Sequence, residues 1–407
     1  MKTLALVLAT LVVLCAGCSP PVPNSVVALN SPAVQPARAE PPAPWQYQDS
    51  LNRAVRHVLD TQKAKGDWGY MSERPYDIWL GSMNSLHVWG NASSALCVHG
   101  LMLQPPTPEL NDAIRKGLAY LCEAPDTPRG TMDTFYNVWA HIYVLETLSV
   151  ALRDARFADI HSGIRARAQH ELRRLIDHQA LDGGWAYYDF FQRTNPPSGD
   201  MSASFITAAA LVALHRARQS GLPVSDRTIE LAVNYMHVVQ LPSGAYAYGR
   251  GDRHYPMTFF NLPRGSLGRS QAGDNALFTW RDVLADDNPR KLGTDRLRAQ
   301  LDTFFKDHVF IEMGRGRQFP HEAWYATAPY YYYFGHYYAS RNVLALPDDI
   351  RAGYAQRLAE KVVPGQYDDG SFWDYPLYGY AKAYGTGFGV MILSNLKQAS
   401  VKSASGR

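Results

Sequence analysis

The stretch IDHQALDGGWAYYDF, residues 176–190, reads as the end of a charged helix, a double-glycine stop and an aromatic cluster. The same punctuation recurs. Gln62 is followed by Gly66 and Trp68, Gln179 by Gly183 and Trp185, Gln240 by Gly244 and Tyr246, and Gln366 by Gly370 and Phe372. The step from Trp185 to Tyr246 is about half of either longer step, so a period of about 60 residues with two degenerate members fits the chain. RGTM at 129–132 and GRGRQF at 314–319 fall where those two members are expected.

Each unit reads as two helices. Segments before the stop, such as IRARAQHELRRLIDHQ and DRTIELAVNYMHVVQ, carry apolar residues at helical spacing on an otherwise polar surface, the pattern of an outer helix. Segments after it, such as MSASFITAAALVALHRA and YGTGFGVMILSNL, are small and bland enough for burial on nearly all sides, the pattern of an inner helix. Six such pairs closing on themselves give an all-α, (α/α)6 toroid. The glycine supplies the left-handed residue that ends the outer helix, the glutamine amide bonds backbone at the turn, and the aromatic packs over it.

These stops resemble the Gln-Trp repeats of the squalene–hopene cyclase and protein prenyltransferase superfamily. The resemblance is closest to the exported prenyltransferase/squalene oxidase repeat proteins of bacteria. It is carried by GGWAYYDF, DMSASFITAAALVALHRARQSGLPVSDRTIELAVNYM and YDDGSFWDYPLYGYAKAYGTGFGVMILSN, and it spans nearly all of 46–398. It implies the toroid and little about activity. The catalytic equipment of the superfamily is missing from the sequence: there is no Asp-x-Asp-Asp cluster, no Asp two residues before Cys97 or Cys122, and no Cys-Gly-Glu-Gln run.

The chain divides into a signal peptide (1–17), a proline-rich tether (18–45), the toroid (46–398) and a polar tail (399–407). Lys2 precedes the apolar run LALVLATLVVL, too short to span a bilayer as a mature helix, and LCAGCSP resembles a lipoprotein cleavage box with Cys18 as the lipidated residue. Eight prolines between Ser19 and Pro44 make the following segment an extended spacer. Ser19, in place of an inner-membrane Asp signal, points to the outer membrane facing the periplasm. The partner expected there is the membrane itself, through the anchor. With 40 basic against 37 acidic residues, a nucleic-acid partner is not expected. Cys97 and Cys122 can pair or stay free.

Chemistry is sought where inner helices begin. Asp77, Asp133, Asp200, Asp274 and Asp374 each precede an inner-helix segment, where helix N-termini favour carboxylates and anions. Deeper lie His87 and Asn91, then Asn137 and His141, each pair spaced i, i+4, with Ser202, Ser204, His336, Tyr380, Tyr384 and Thr386. At least two of the four i, i+4 residues are expected to line a solvent-filled cavity. His87, His141, His336 and Glu322 are adequate metal ligands, but no compact metal spacing occurs, so neither metal nor cofactor is expected. In PYYYYFGHYY, Tyr330, Phe334 and Tyr337, with Tyr333 as a further candidate, share a helical face that packs between helices.

The leading expectation is a membrane-tethered lipoprotein that binds a small molecule or peptide in the toroid. An enzyme acting on an envelope glycan or lipid through rim carboxylates is the second, and a protein-interaction scaffold the third.

Overall fold

The computed structural model describes residues 45–69, 83–127, 129, 136–187, 195–199, 201–319 and 321–401. The signal peptide, Cys18, most of the tether, Asp77, Asp133 and Asp200 lie outside the described residues. The chain is all-α. Six long helices form an outer layer: α1 (Gln48–Asp60), α3 (Pro108–Glu123), α5 (His161–Asp177), α7 (Asp226–Val239), α9 (Thr294–Lys306) and α12 (Asp348–Val362). Six alternate with them as an inner layer: α2 (Met83–Met102), α4 (Asn137–Ala151), α6 (Ser204–Gln219), α8 (Leu267–Thr279), α11 (Tyr331–Leu344) and α13 (Tyr380–Ser400). One short helix, α10 (Val309–Glu312), follows α9.

The layers follow from the residue patterns. Helix α1 buries Leu51, Ala54 and Val58, one stripe at helical spacing, and leaves its charges in water. Helix α4 buries every residue but Val150. Each inner helix packs on the next, α2 on α4, then α6, α8, α11 and α13, and α13 returns to pack on α2. The ring therefore closes, and the outer helices sheathe it: α3 lies on α2, α5 on α4, α9 on α8, and α12 on α11 and α13.

The glutamine turns are the joints of the outer layer. Gln62 donates through Nε2 to Gly66 O at 3.1 Å and to Ala113 O of α3 at 2.9 Å. Gln179 does the same to Gly183 O (3.0 Å) and Thr228 O of α7 (2.9 Å). Gln366 reaches Gly370 O and Ser50 O of α1, both at 2.9 Å. Gly66 and Gly183 have φ of +90°, and a Cβ on either would sit 2.3 Å from a carbonyl of that same neighbouring helix, Lys116 O or Leu231 O. Positive φ and contact with a foreign backbone both require glycine. The aromatic completes the joint: the indoles of Trp68 and Trp185 donate to Val58 O and Leu175 O, both at 2.7 Å, inside their own outer helices.

The Gln240 joint is built differently. Gln240 reaches only Tyr246 Oη (3.2 Å), and Arg296 of α9 takes its place, donating to Gly244 O at 2.6 Å. GRGRQF lies between α10 and α11, but Gly316, with φ of +76°, abuts no neighbouring helix. Of RGTM, only Arg129 is described. Cys97 and Cys122 are both free thiols.

Candidate functional site

Aromatics gather where the inner helices begin. Trp89 of α2 stacks on Tyr380 of α13, centroids 5.2 Å apart and rings within 6° of parallel. Around the ring, Trp89 meets Trp139 of α4 (6.4 Å), Trp139 meets Phe205 of α6 (5.9 Å), and Phe205 meets Tyr331 of α11 (5.2 Å). Tyr384 of α13 closes the circle edge-on to Trp89 at 6.0 Å. Five inner helices thus contribute an aromatic within their early turns, and the sixth, α8, contributes Arg269. Above this circle Tyr136 stacks on Tyr187 (5.2 Å, 19°), and the Tyr187 and Tyr248 hydroxyls bond to each other. Trp89, Tyr136, Tyr187, Tyr248 and Tyr330 are only half-buried, so this end of the ring is an aromatic-lined mouth.

Below the mouth the ring is filled. Phe334 of α11 touches Trp139 across the axis, and Phe388 of α13 packs on Phe334, Tyr337 and Tyr143. Helices α4 and α11 stand opposite each other in the ring, yet Glu146 of α4 accepts from Tyr337 Oη at 3.2 Å and from Arg341 at 3.3 Å. Arg341 also donates to Asn275 of α8 at 3.0 Å. These arginine contacts lie near the C-terminal ends of the inner helices, where the helix dipoles favour a cation. The deep lumen is therefore an aromatic plug sealed by a buried ion pair.

The polar residues expected to face a central cavity are mostly turned the other way. Asn91 accepts from Tyr120 Oη of α3 at 2.8 Å. His141 Nδ1 contacts Glu171 of α5 at 2.5 Å, and Arg167 holds the other carboxylate oxygen. His336 donates through Nδ1 to Tyr332 O (2.7 Å), leaving Nε2 to accept from His308 at 2.9 Å. An inner helix has two buried faces, and these groups use the sheath-facing one, where outer-layer side chains satisfy them. Asp274 corrects the rim expectation most clearly. It lies inside α8 with no exposed surface, held by Arg296 Nε at 2.8 Å and Tyr246 Oη at 2.8 Å. Burial raises its pKa to about 6, with Arg296 opposing.

Other candidates lie at the starts of inner helices or against the glutamine turns. His87 is exposed near the start of α2, and Asn137 is the buried first residue of α4. Ser204 opens α6, its amide bonded to Tyr248 O at 2.8 Å. Ser202 bonds Asp182, and Thr386 holds the amide of Phe372. Tyr384 belongs to the aromatic circle itself. Among the described residues no three metal-ligating side chains cluster, so His87, His141, His336 and the exposed Glu322 form no common site.

Asp374 is the carboxylate beside the mouth. It precedes α13 but caps the neighbouring helix α11, accepting from Tyr333 N at 3.1 Å. The side chain has no exposed surface, and Oδ1 has no hydrogen-bond partner among the described residues. Burial raises its pKa to about 7, with the Tyr333 amide opposing. Of the YYYYF strip, Phe334 and Tyr337 face the lumen together, with Tyr330 and Tyr331 at the mouth, while Tyr332 and Tyr333 bond Lys361 O and Gly365 O of the outer layer, so Tyr333 does not share the Phe334 face. Sequence reasoning passed over Trp89, Trp139, Phe205 and Arg269, although a large side chain in the early turns of each inner helix was a readable signal.

No family model matches the chain, and no curated protein does. Solved structures do match. An inactive variant of the α-1,6-mannanase of Salegentibacter sp. bound to α-1,6-mannotriose is 12% identical, covers 87% of this chain and 99% of its own, and has a TM-score of 0.51. The unmutated mannanase gives the same identity and coverage with a TM-score of 0.50. The type II terpene cyclase MstE from Scytonema, in complex with geranylgeranyl dihydroxybenzoate, is 15% identical over 87% of this chain and 98% of its own, with a TM-score of 0.49. The mannanase matches show the fold, an α/α toroid.

Proposed function

We propose that the protein is an envelope lipoprotein, tethered through Cys18, that binds a glycan at the aromatic mouth of a six-repeat toroid. The observation carrying this reading is the aromatic circle from Trp89 to Tyr384, buried except at Trp89, with the partly exposed Tyr136, Tyr187, Tyr248 and Tyr330 around it. Pyranose rings present an apolar C–H face that packs on such surfaces, while hydroxyls at the rim exchange hydrogen bonds with sugar hydroxyls. The ligand sits at the mouth rather than deep in the ring, because the plug fills the lumen. The alternation of six outer and six inner helices supports the six-repeat count, with two units lacking the glutamine joint. Titration of the protein with oligosaccharides released from the cell envelope by mild acid should quench tryptophan fluorescence saturably, and Trp89→Ala should abolish most of the change. Absence of quenching with every fraction would defeat the reading.

A further inference from the structure

Beside the mouth, at the N-terminus of α8, lies a cavity of about 10 Å³ lined by Arg264, Ser266, Gly268, Arg269, Thr327 and Tyr331, among others. Arg269 is only 3% exposed, and Thr327 and Tyr331 are each 6% exposed. Arg269 Nε and Thr327 Oγ1 have no hydrogen-bond partner among the described residues, and the Tyr331 hydroxyl lies beside the Arg269 guanidinium and the Tyr248 hydroxyl. The Arg269 guanidinium donates to Phe260 O and lies 5.4 Å from the Tyr248 ring centroid, but no carboxylate pairs with it among the described residues. The other arginines nearby are paired: Arg264 with Asp307 at 3.4 Å and Arg296 with Asp274 at 2.8 Å.

A buried cation without a counter-ion is costly, and buried hydroxyls without partners add to that cost. Two donors left over, Arg269 Nε and Thr327 Oγ1, with the Tyr331 hydroxyl beside them at the positive end of a helix dipole, suit an anion. A space of this size holds about one water-sized group, so it admits a single oxygen of an anionic group rather than a whole free ion. Tyr331 and Arg269 belong both to this cavity and to the aromatic mouth, through Phe205 and Tyr248 respectively.

We propose that this cavity is a carboxylate subsite and that the ligand of the mouth is an acidic glycan, its uronate oxygen held by Arg269, Thr327 and Tyr331. The proposal rests on the reading of the mouth as a glycan site. Its test is tryptophan-fluorescence titration of the full chain in detergent with tetragalacturonate and with its methyl ester, which keeps the sugar rings and removes the charge. The wild type should bind the acid at least about tenfold more tightly than the ester. Arg269→Gln should bring the two ligands to parity by weakening the acid alone, Thr327→Val should move in the same direction, and Arg269→Lys should restore part of the preference. Thermal unfolding should show Arg269→Gln no less stable than the wild type, because an unpaired buried charge has been removed. Equal binding of acid and ester by the wild type overturns the subsite and leaves the glycan reading standing. A preference that survives Arg269→Gln, or an equal loss for both ligands, also overturns it. Failure to bind either ligand also overturns the subsite, while the glycan reading itself is decided by the titration with envelope oligosaccharides.

Discussion

At the residue scale, the glutamine of each joint and its aromatic hold different parts of the ring. Trp185 is fully buried and bonded inside its own outer helix, so Trp185→Ala should cost about 3–5 kcal/mol in thermal unfolding. The exposed change Arg227→Ala serves as a control with no measurable effect. Gln366→Ala should cost more than Gln240→Ala, because Gln366 satisfies two buried carbonyls and Gln240 only a tyrosine hydroxyl. Equal melting temperatures for that pair would contradict the joint described above. Asp374 gives a pH-resolved expectation. Its folded pKa lies above its unfolded value, so its contribution is present at low pH and is lost as pH rises through about 7. Asp374→Asn keeps an acceptor for Tyr333 N and cannot ionise. The variant should exceed the wild type in melting temperature by a margin that grows from about pH 4 to about pH 7 and stays constant above it.

At the element scale, what decides the site is which face of an inner helix a polar group occupies. Helix α11 shows both. Tyr337 and Arg341 point across the lumen to Glu146, while Tyr332 and His336 point into the sheath. The alternation of polar and bland segments made the two layers legible in the sequence. It did not separate the two buried faces of an inner helix, since both exclude water and admit the same residue types. Asn91, His141 and His336, expected at the cavity, therefore serve the outer helices, as does Asp274, expected at the rim. The trans-lumen pair supplies its own test. Arg341→Met should destabilise by about 3–5 kcal/mol by leaving Glu146 buried and unpaired, and adding Glu146→Gln should recover much of that loss in a double-mutant cycle.

At the scale of the whole molecule, acid should loosen the ring. Burial pushes His99, His178 and His308 down to about 4 and His336 well below its ordinary value. A lowered histidine pKa means that the unfolded chain takes up protons first as pH falls. The contribution of these groups is therefore present above about 6.5 and is lost progressively toward pH 4. Asp274 and Asp374, with raised values, act in the opposite sense over part of that range, but they are fewer than the histidines. The melting temperature should fall between pH 6.5 and 4.5; a rise would show that the histidines are not held neutral by burial. Tethering belongs to this scale as well: Cys18→Ala should move the protein from the membrane to the soluble fraction, and full retention on membranes would count against the anchor.

The joint from Gln366 to Ser50 spans 316 residues of sequence, and its partner is the first helix of the body. Synthesis runs from one end of the chain to the other, so α1 emerges long before the segment that clasps it exists. Until then the stripe of Leu51, Ala54 and Val58 has no α13 to lie against, and early helices cannot reach their final packing however quickly they form. An open solenoid can harden behind the ribosome, repeat by repeat; a closed ring must wait for its last unit. An export route that carries the chain unfolded therefore forfeits nothing in folding, because the body has no finished state to delay before its C-terminal helix arrives. The same circularity makes the starting point arbitrary: a version opened between α6 and α7, with the original ends joined by a short linker, should still close the same ring.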